Sequence, residues 1–118
     1  MGTFNWPLRI SSMDGQHSRD IEATVDTGAA YTTLPARLLR DLGVTPLGKR
    51  RLLLADGRHV DMEYGEARAI VNGENVATLV IFGEDDGPPL IGAYTLEGLA
   101  LAVDPVKQRL VPTHMIMY

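Results

Sequence analysis

Asp26 is the acidic residue of this sequence best placed to do chemistry. The alternating segment Ile21–Val25 leads straight into it, and Thr27, Gly28 and Ala29 follow. An apolar strand thus ends on a carboxylate, a small hydroxyl and a glycine. A carboxylate in such a turn can simply accept hydrogen bonds from nearby backbone amides. Beside a second, proton-bearing carboxyl it can instead take a proton from water and act as a general base. Composition alone leaves both readings open: with 9 Asp, 9 Thr and 12 Gly, the tripeptide arises by chance in roughly 7% of such chains.

Other chemistries have less to stand on. The chain has no cysteine, which excludes a thiol nucleophile, a thiolate zinc site and a disulfide scaffold. His17, His59 and His114 lie far apart without ligand spacing, so no metal is expected. Ser11, Ser12 and Ser18 stand outside any nucleophile-elbow pattern. Asp85-Asp86 reads as a solvated turn rather than a cation site. Gly83–Gly87 lacks the Lys-Ser or Lys-Thr that completes a phosphate loop. Acidic side chains outnumber basic ones 15 to 11, which argues against a nucleic-acid partner. Trp6 and the four tyrosines suit a core or interface better than a stacking platform.

The elements that must position Asp26 are mostly strands. Ile21, Ala23 and Val25 alternate with polar residues, as do Val60, Met62 and Tyr64, while Val76–Phe82 is near-continuous apolar and reads as a strand covered on both faces. Asp14-Gly15, Asp56-Gly57 and Asn72-Gly73 each lie between apolar segments and favour tight hairpin turns. Glu84–Pro89 is a polar loop, and Asp104-Pro105 opens another turn. Helix signals are confined to Pro35–Leu42, stopped by Gly43, and a short turn at Thr95–Glu97. This pattern predicts a mainly β barrel or sandwich with one or two short helices. With 118 residues, 45% of them apolar, and no linker, the chain is expected to form one domain over 1–118. Val76–Phe82, the longest apolar run, is far short of the ~18 residues of a membrane span, and Met1–Ile10 lacks signal-peptide character. Met1-Gly2 has Trp6 where myristoylation wants Ser or Thr. A cytoplasmic protein without membrane contact is expected.

A second glycine motif gives the first its context. Pro89-Leu90-Ile91-Gly92 is an apolar strand into glycine, followed by the short helical turn. Asp26-Thr27-Gly28-Ala29, then Leu90-Ile91-Gly92 and a helix, resembles the retroviral-type (retropepsin-like) aspartic protease family, from Phe4 to about Pro112. The resemblance implies a closed β-barrel with one active-site Asp-Thr-Gly loop per subunit. Leu52–Val60 occupies the place of the flap hairpin, with Leu54, Ala55, Asp56, Gly57 and Arg58 at its tip; an ordinary surface hairpin is the alternative. Gly98–Pro112 looks like the trailing strands of cellular members. Ala93-Tyr94 departs from the family, many of whose members carry a charged pair there.

The chemistry implied by the resemblance needs two carboxylates, one ionised and one protonated, because two like charges at close range push one pKa up and the other down. The ionised member activates water and the protonated one donates to the scissile carbonyl, with no covalent intermediate, metal or cofactor. One chain supplies a single Asp-Thr-Gly. A homodimer contributing Asp26 twice across a two-fold axis is therefore expected, acting as an endopeptidase on an extended peptide or protein. The alternative is a non-catalytic dimeric binding module of the same fold. Thr27 would then bond across the two-fold, and Gly28 would let backbone donors approach the carboxylates. Ala29, unlike serine, cannot donate a side-chain hydrogen bond to the carboxylate, so the pair is expected to titrate higher than in serine-bearing relatives. Leu34, Val80, Ile81 and Ile91 are candidate pocket walls. The apolar tail Val111–Tyr118 is expected to dock, either on its own subunit or as an interface strand beside Thr3–Ile10.

Overall fold

Apolar alternation makes the strands, and glycine-bearing turns fold them back on one another. The computed structural model describes residues 3–114. Strands β1 (Phe4–Ser11) and β2 (Ser18–Val25) form a hairpin in register from Phe4↔Val25 to Ser11↔Ser18. Gly15, at φ +76°, turns it. β3 (Thr32–Pro35) leads into α1 (Ala36–Asp41), followed by β4 (Gly48–Leu53), β5 (His59–Val71) and β6 (Glu74–Gly83). The two-residue β7 (Leu90–Ile91) precedes α2 (Ala93–Gly98), and the chain closes with the hairpin β8 (Leu101–Asp104) and β9 (Arg109–Pro112).

The strand order β1-β2-β7-β3-β6-β5-β4 closes on itself because Arg9–Ser11 of β1 also pair with Arg68–Ile70 of β5. Six strands thus make a ring, as expected, and β4 stands outside it. The 13-residue β5 makes this possible by changing partners: His59–Tyr64 pair with β4, and Tyr64–Val71 with β6. The change falls next to Gly65, where an added Cβ would lie 3.0 Å from Thr45 O, tighter than ordinary contact, so glycine eases the close packing there. Inside the ring, Leu8, Ile10, Leu34, Leu39, Val80 and Ile91 are almost wholly buried. Each such side chain stabilises the fold by about 1.5–3 kcal/mol.

Several expectations meet the structure with adjustments. Pro35–Leu42 is helical within its caps, Pro35 and Leu42, and Gly43 at φ +83° ends it. With no side-chain cap of its own, α1 receives one from a distant loop: Asp85 Oδ1 accepts the Arg37 amide at 2.8 Å. The turn at Thr95–Glu97 proves to be a longer helix beginning at Ala93. Val76–Phe82 lies within β6, but only Val80–Gly83 are continuously buried; Ala77 is exposed, so the strand is covered on both faces only at its far end. At the start of the C-terminal tail, Val111 and Pro112 pair with β8 of the same chain. Met115–Tyr118 lie outside the described residues. Among the described residues no helix is long and apolar enough to cross a membrane.

The junction between α2 and the last hairpin carries a local cost. Ala100, one residue past the helix C-cap, sits at φ +55° while its amide bonds to Glu97 O and its carbonyl accepts the Thr113 amide. A left-handed conformation at this position favours glycine, and an L side chain there costs about 1 kcal/mol or somewhat more. Ala100→Gly is therefore expected to stabilise the protein by about 0.5–1 kcal/mol, seen as a raised denaturation midpoint in urea.

Candidate active site

The Asp26 loop is held by backbone, from both ends. β7 lies between β2 and β3, parallel to the first (Val25↔Ile91) and antiparallel to the second (Thr33↔Leu90). The Thr24 amide donates to Pro89 O at 2.9 Å and the Asp26 amide to Ile91 O at 3.0 Å, so the carboxylate begins where the strand is clamped. Within the loop the Gly28 amide donates to Asp26 Oδ1 at 3.0 Å and the Ala29 amide to Asp26 O at 3.1 Å. A Cβ on Gly28 would stand 3.2 Å from that same oxygen, so glycine admits both the approach and the hydrogen bond. Asp26 is half-buried, while Thr27 and Gly28 are exposed.

The second glycine motif supports the first by contact. A Cβ on Gly92 would lie 2.4 Å from Tyr31 C and 2.7 Å from Tyr31 O, closer than atoms pack, so only glycine lets β7 cross β3 there. The helix that follows carries the loop: the Ala93 and Tyr94 amides donate to Ala29 O and Ala30 O, both at 2.9 Å. The departure at Ala93-Tyr94 thus leaves this backbone support in place, and the Tyr94 ring packs at 6.0 Å against that of Tyr31. Beneath lies a buried hydroxyl network that the sequence reading missed. Thr95 Oγ1 meets Thr32 Oγ1 at 2.6 Å and Thr78 Oγ1 at 2.8 Å, and Thr32 Oγ1 accepts the Gly92 amide at 3.1 Å. The available signal was a hydroxyl residue inside two apolar strands and again on the short helix.

Two recesses flank the loop. One, of about 320 Å³, runs between Gly28–Tyr31 with Thr33 on one side and Arg51–Leu54 on the other, with Ile81 completing it. The other, of about 400 Å³, lies beside Asp26–Gly28 and is bounded by Phe4, Val103 and Pro105. Of the expected tip residues, Leu54 reaches the first recess, whereas Ala55, Asp56, Gly57 and Arg58 form an exposed turn beyond it. Of the expected walls only Ile81 lines a recess. Leu34, Val80 and Ile91 are buried in the ring, because their alternation faces the barrel interior rather than the groove. Ala30, Tyr31, Thr33 and Arg51 line the groove unforeseen. Among the described residues no cluster of histidine and carboxylate side chains is arranged to hold a metal.

The hairpin tip is organised by charge. Asp56 accepts the Arg58 amide at 3.0 Å and the Arg58 guanidinium at 2.8 Å, and these two bonds hold its carboxyl below the ordinary value of 3.8. A depressed folded value stabilises the tip above the ordinary value and loses that contribution as pH falls through the depressed one. Amide exchange at Leu54–Arg58 is accordingly expected to lose protection below about pH 3.8, with Asp56→Asn removing that pH dependence. For the network, Thr95→Val is expected to cost about 1–3 kcal/mol in unfolding free energy, since two buried hydroxyls lose a partner, with Thr95→Ser restoring most of it.

Comparison with known proteins places this geometry. No curated protein matches the chain. By fold it is similar to the simian foamy virus (mac) protease in solution, at 19% identity over 77% of this chain and 91% of that one, with a TM-score of 0.53. It is similar also to the EIAV protease complexed with an inhibitor, at 16% identity, 93% of each chain and a TM-score of 0.58. In a foamy viral protease-reverse transcriptase, complexed with an RNA/DNA hybrid, the similarity is 14% over 96% of this chain but 13% of that one, with a TM-score of 0.57. Residues 7–95, which include both glycine motifs, match the aspartyl protease family model. The chain belongs to the aspartyl protease family, in a retropepsin-like fold.

Proposed function

We propose that the protein is an aspartic endopeptidase that works as a homodimer, with Asp26 of each copy sharing one active site. The observation that carries this reading is the solitary carboxylate. Of the described residues lining the two recesses beside the loop, Asp26 is the only acid. Water activation and carbonyl protonation at one site call for two carboxyls with opposed protonation states. The exposed side of the loop, with Thr27 outward and Val103 and Pro105 beside it, supports the approach of a second copy there. Thr27 would bond across the two-fold, with Gly28 and Ala29 fixing the loop. Leu90, Ile91 and Gly92 support it from below. The β4–β5 hairpin serves as the flap, closing over a peptide laid out as a strand.

The Asp26 carboxylates then have distinct work. The ionised one removes a proton from a water held between them as the oxygen attacks the peptide carbonyl. The protonated one donates to the carbonyl oxygen, giving a tetrahedral intermediate that collapses with proton transfer to the leaving nitrogen. The Gly28 amide on Asp26 Oδ1 fixes the carboxyl's orientation throughout. Backbone alone supplies this bond within the subunit, because the methyl of Ala29 has no donor.

The test is an activity pair with a mass measurement. The native protein is expected to cleave an unfolded protein at mildly acidic pH and to sediment as a dimer. Asp26→Asn is expected to remain dimeric and lose at least 10³-fold in kcat, on the order seen when a catalytic group is removed. A strictly monomeric protein, or cleavage that survives Asp26→Asn, would sink the proposal; peptide binding without cleavage would indicate a binding module. Ala29→Ser, which adds a donor to the ionised form, is expected to move the acid limb of the pH–rate profile acidward.

A further inference from the structure

We infer that Arg51 makes the groove selective for peptides carrying an acidic side chain near the cleaved bond, an inference that rests on the protease reading and names part of its substrate class. The chain carries a net charge of −4, yet β4 presents Lys49-Arg50-Arg51 in a row. Two other cations of this hairpin are engaged. The Arg50 guanidinium lies 4.3 Å over the Tyr64 ring, and Arg58 is paired with Asp56 at 2.8 Å. Lys49 makes no ion pair among the described residues, but it does not line the groove. Arg51 stands opposite Asp61 and makes no ion pair among the described residues.

Among the described residues, Arg51 is also the only charged one lining the groove. The remainder of the lining is glycine, alanine, leucine, isoleucine, Tyr31 and Thr33. An uncharged recess with one guanidinium at its wall complements a methylene stem that ends in a carboxylate. Arginine meets a carboxylate through two parallel N–H donors, which a neutral amide cannot match. Glutamate has the longer reach of the two acidic side chains and is the probe for this contact. Asp26 adjoins the Gly28 end of the same groove, so an acidic side chain placed against it would be repelled. The acidic residue therefore flanks the scissile bond, toward the Arg51 of either copy, and does not form it.

Paired peptides, with Glu or Gln scanned through each position around an apolar scissile pair, test this directly. At one position on each side of the scissile bond, because the two-fold supplies Arg51 twice, Glu is expected to raise kcat/KM about tenfold over Gln at low salt, less at high salt. Arg51→Gln is expected to equalise the two peptides, and Arg51→Glu to favour a Lys peptide instead. Equal rates for Glu and Gln at every position, or a preference that survives Arg51→Gln, would overturn the inference. Fluorescence anisotropy of the same peptides on Asp26→Asn separates this from the protease reading. A Glu preference in binding, without cleavage by the native protein, upholds Arg51 and overturns the protease; no preference in binding or cleavage overturns Arg51 alone.

Discussion

The insertion of β7 between β2 and β3 is the constraint on which the rest depends. Two residues are bonded parallel on one side and antiparallel on the other, at a separation that leaves no room for a Cβ at Gly92. The contact is backbone against backbone. Asp26 is therefore placed by amide and carbonyl positions, Asp26 N to Ile91 O, which are indifferent to most side-chain changes around them. Side chains enter one layer down, where Thr32, Thr78 and Thr95 satisfy one another in a region sealed from water. Such a network is stable only when complete, because each hydroxyl left alone would carry its full desolvation cost.

How much of this was legible varies with the kind of signal. The Asp26 loop could be read because alternation and turn chemistry meet there in consecutive residues. The three Asp-Gly and Asn-Gly turns mark real hairpins for a similar reason, since φ is positive at Gly15, Gly57, Asn72 and Gly73. β3 escaped notice because four residues ending in proline carry too short a pattern. The length of β5 was hidden by Gly65, Ala67 and Ala69, whose small size breaks the visible period where the strand packs closely. The pocket walls failed for a different reason. Alternation says that Leu34, Val80 and Ile91 face inward, but a ring has an inside that is core and an outer mouth that is groove. One-dimensional periodicity does not tell the two apart.

The loop stands between two hairpins of opposite character. The β8–β9 hairpin is knotted by its own turn: Asp104 accepts the Val106 and Lys107 amides and the Arg109 guanidinium, which together hold its carboxyl below the ordinary range. It leaves Val106 89% exposed at its end, and Val103 and Pro105 beside Asp26. The β4–β5 hairpin is charged along its outer strand. Lysine and arginine on an unpaired strand edge also discourage pairing with the wrong strand of another molecule. The basic triplet thus guards the edge of the sheet, while its last member, Arg51, also lines the groove.

The double duty of β5 has a mechanical meaning. One uninterrupted strand forms half of the outlying hairpin and, beyond Gly65, a wall of the closed ring where Arg68–Ile70 meet β1. It behaves as a cantilever: the ring is the masonry, the hairpin the free arm, and Gly65 the point where the beam leaves the wall. A load on the arm, such as a strand laid beneath it, produces its largest bending moment at that root. Gly65 is also where Val44 and Phe82 side chains crowd within 3.2 Å of an added Cβ. The stiffness of the arm is therefore set by packing at its root rather than by the sequence of its tip.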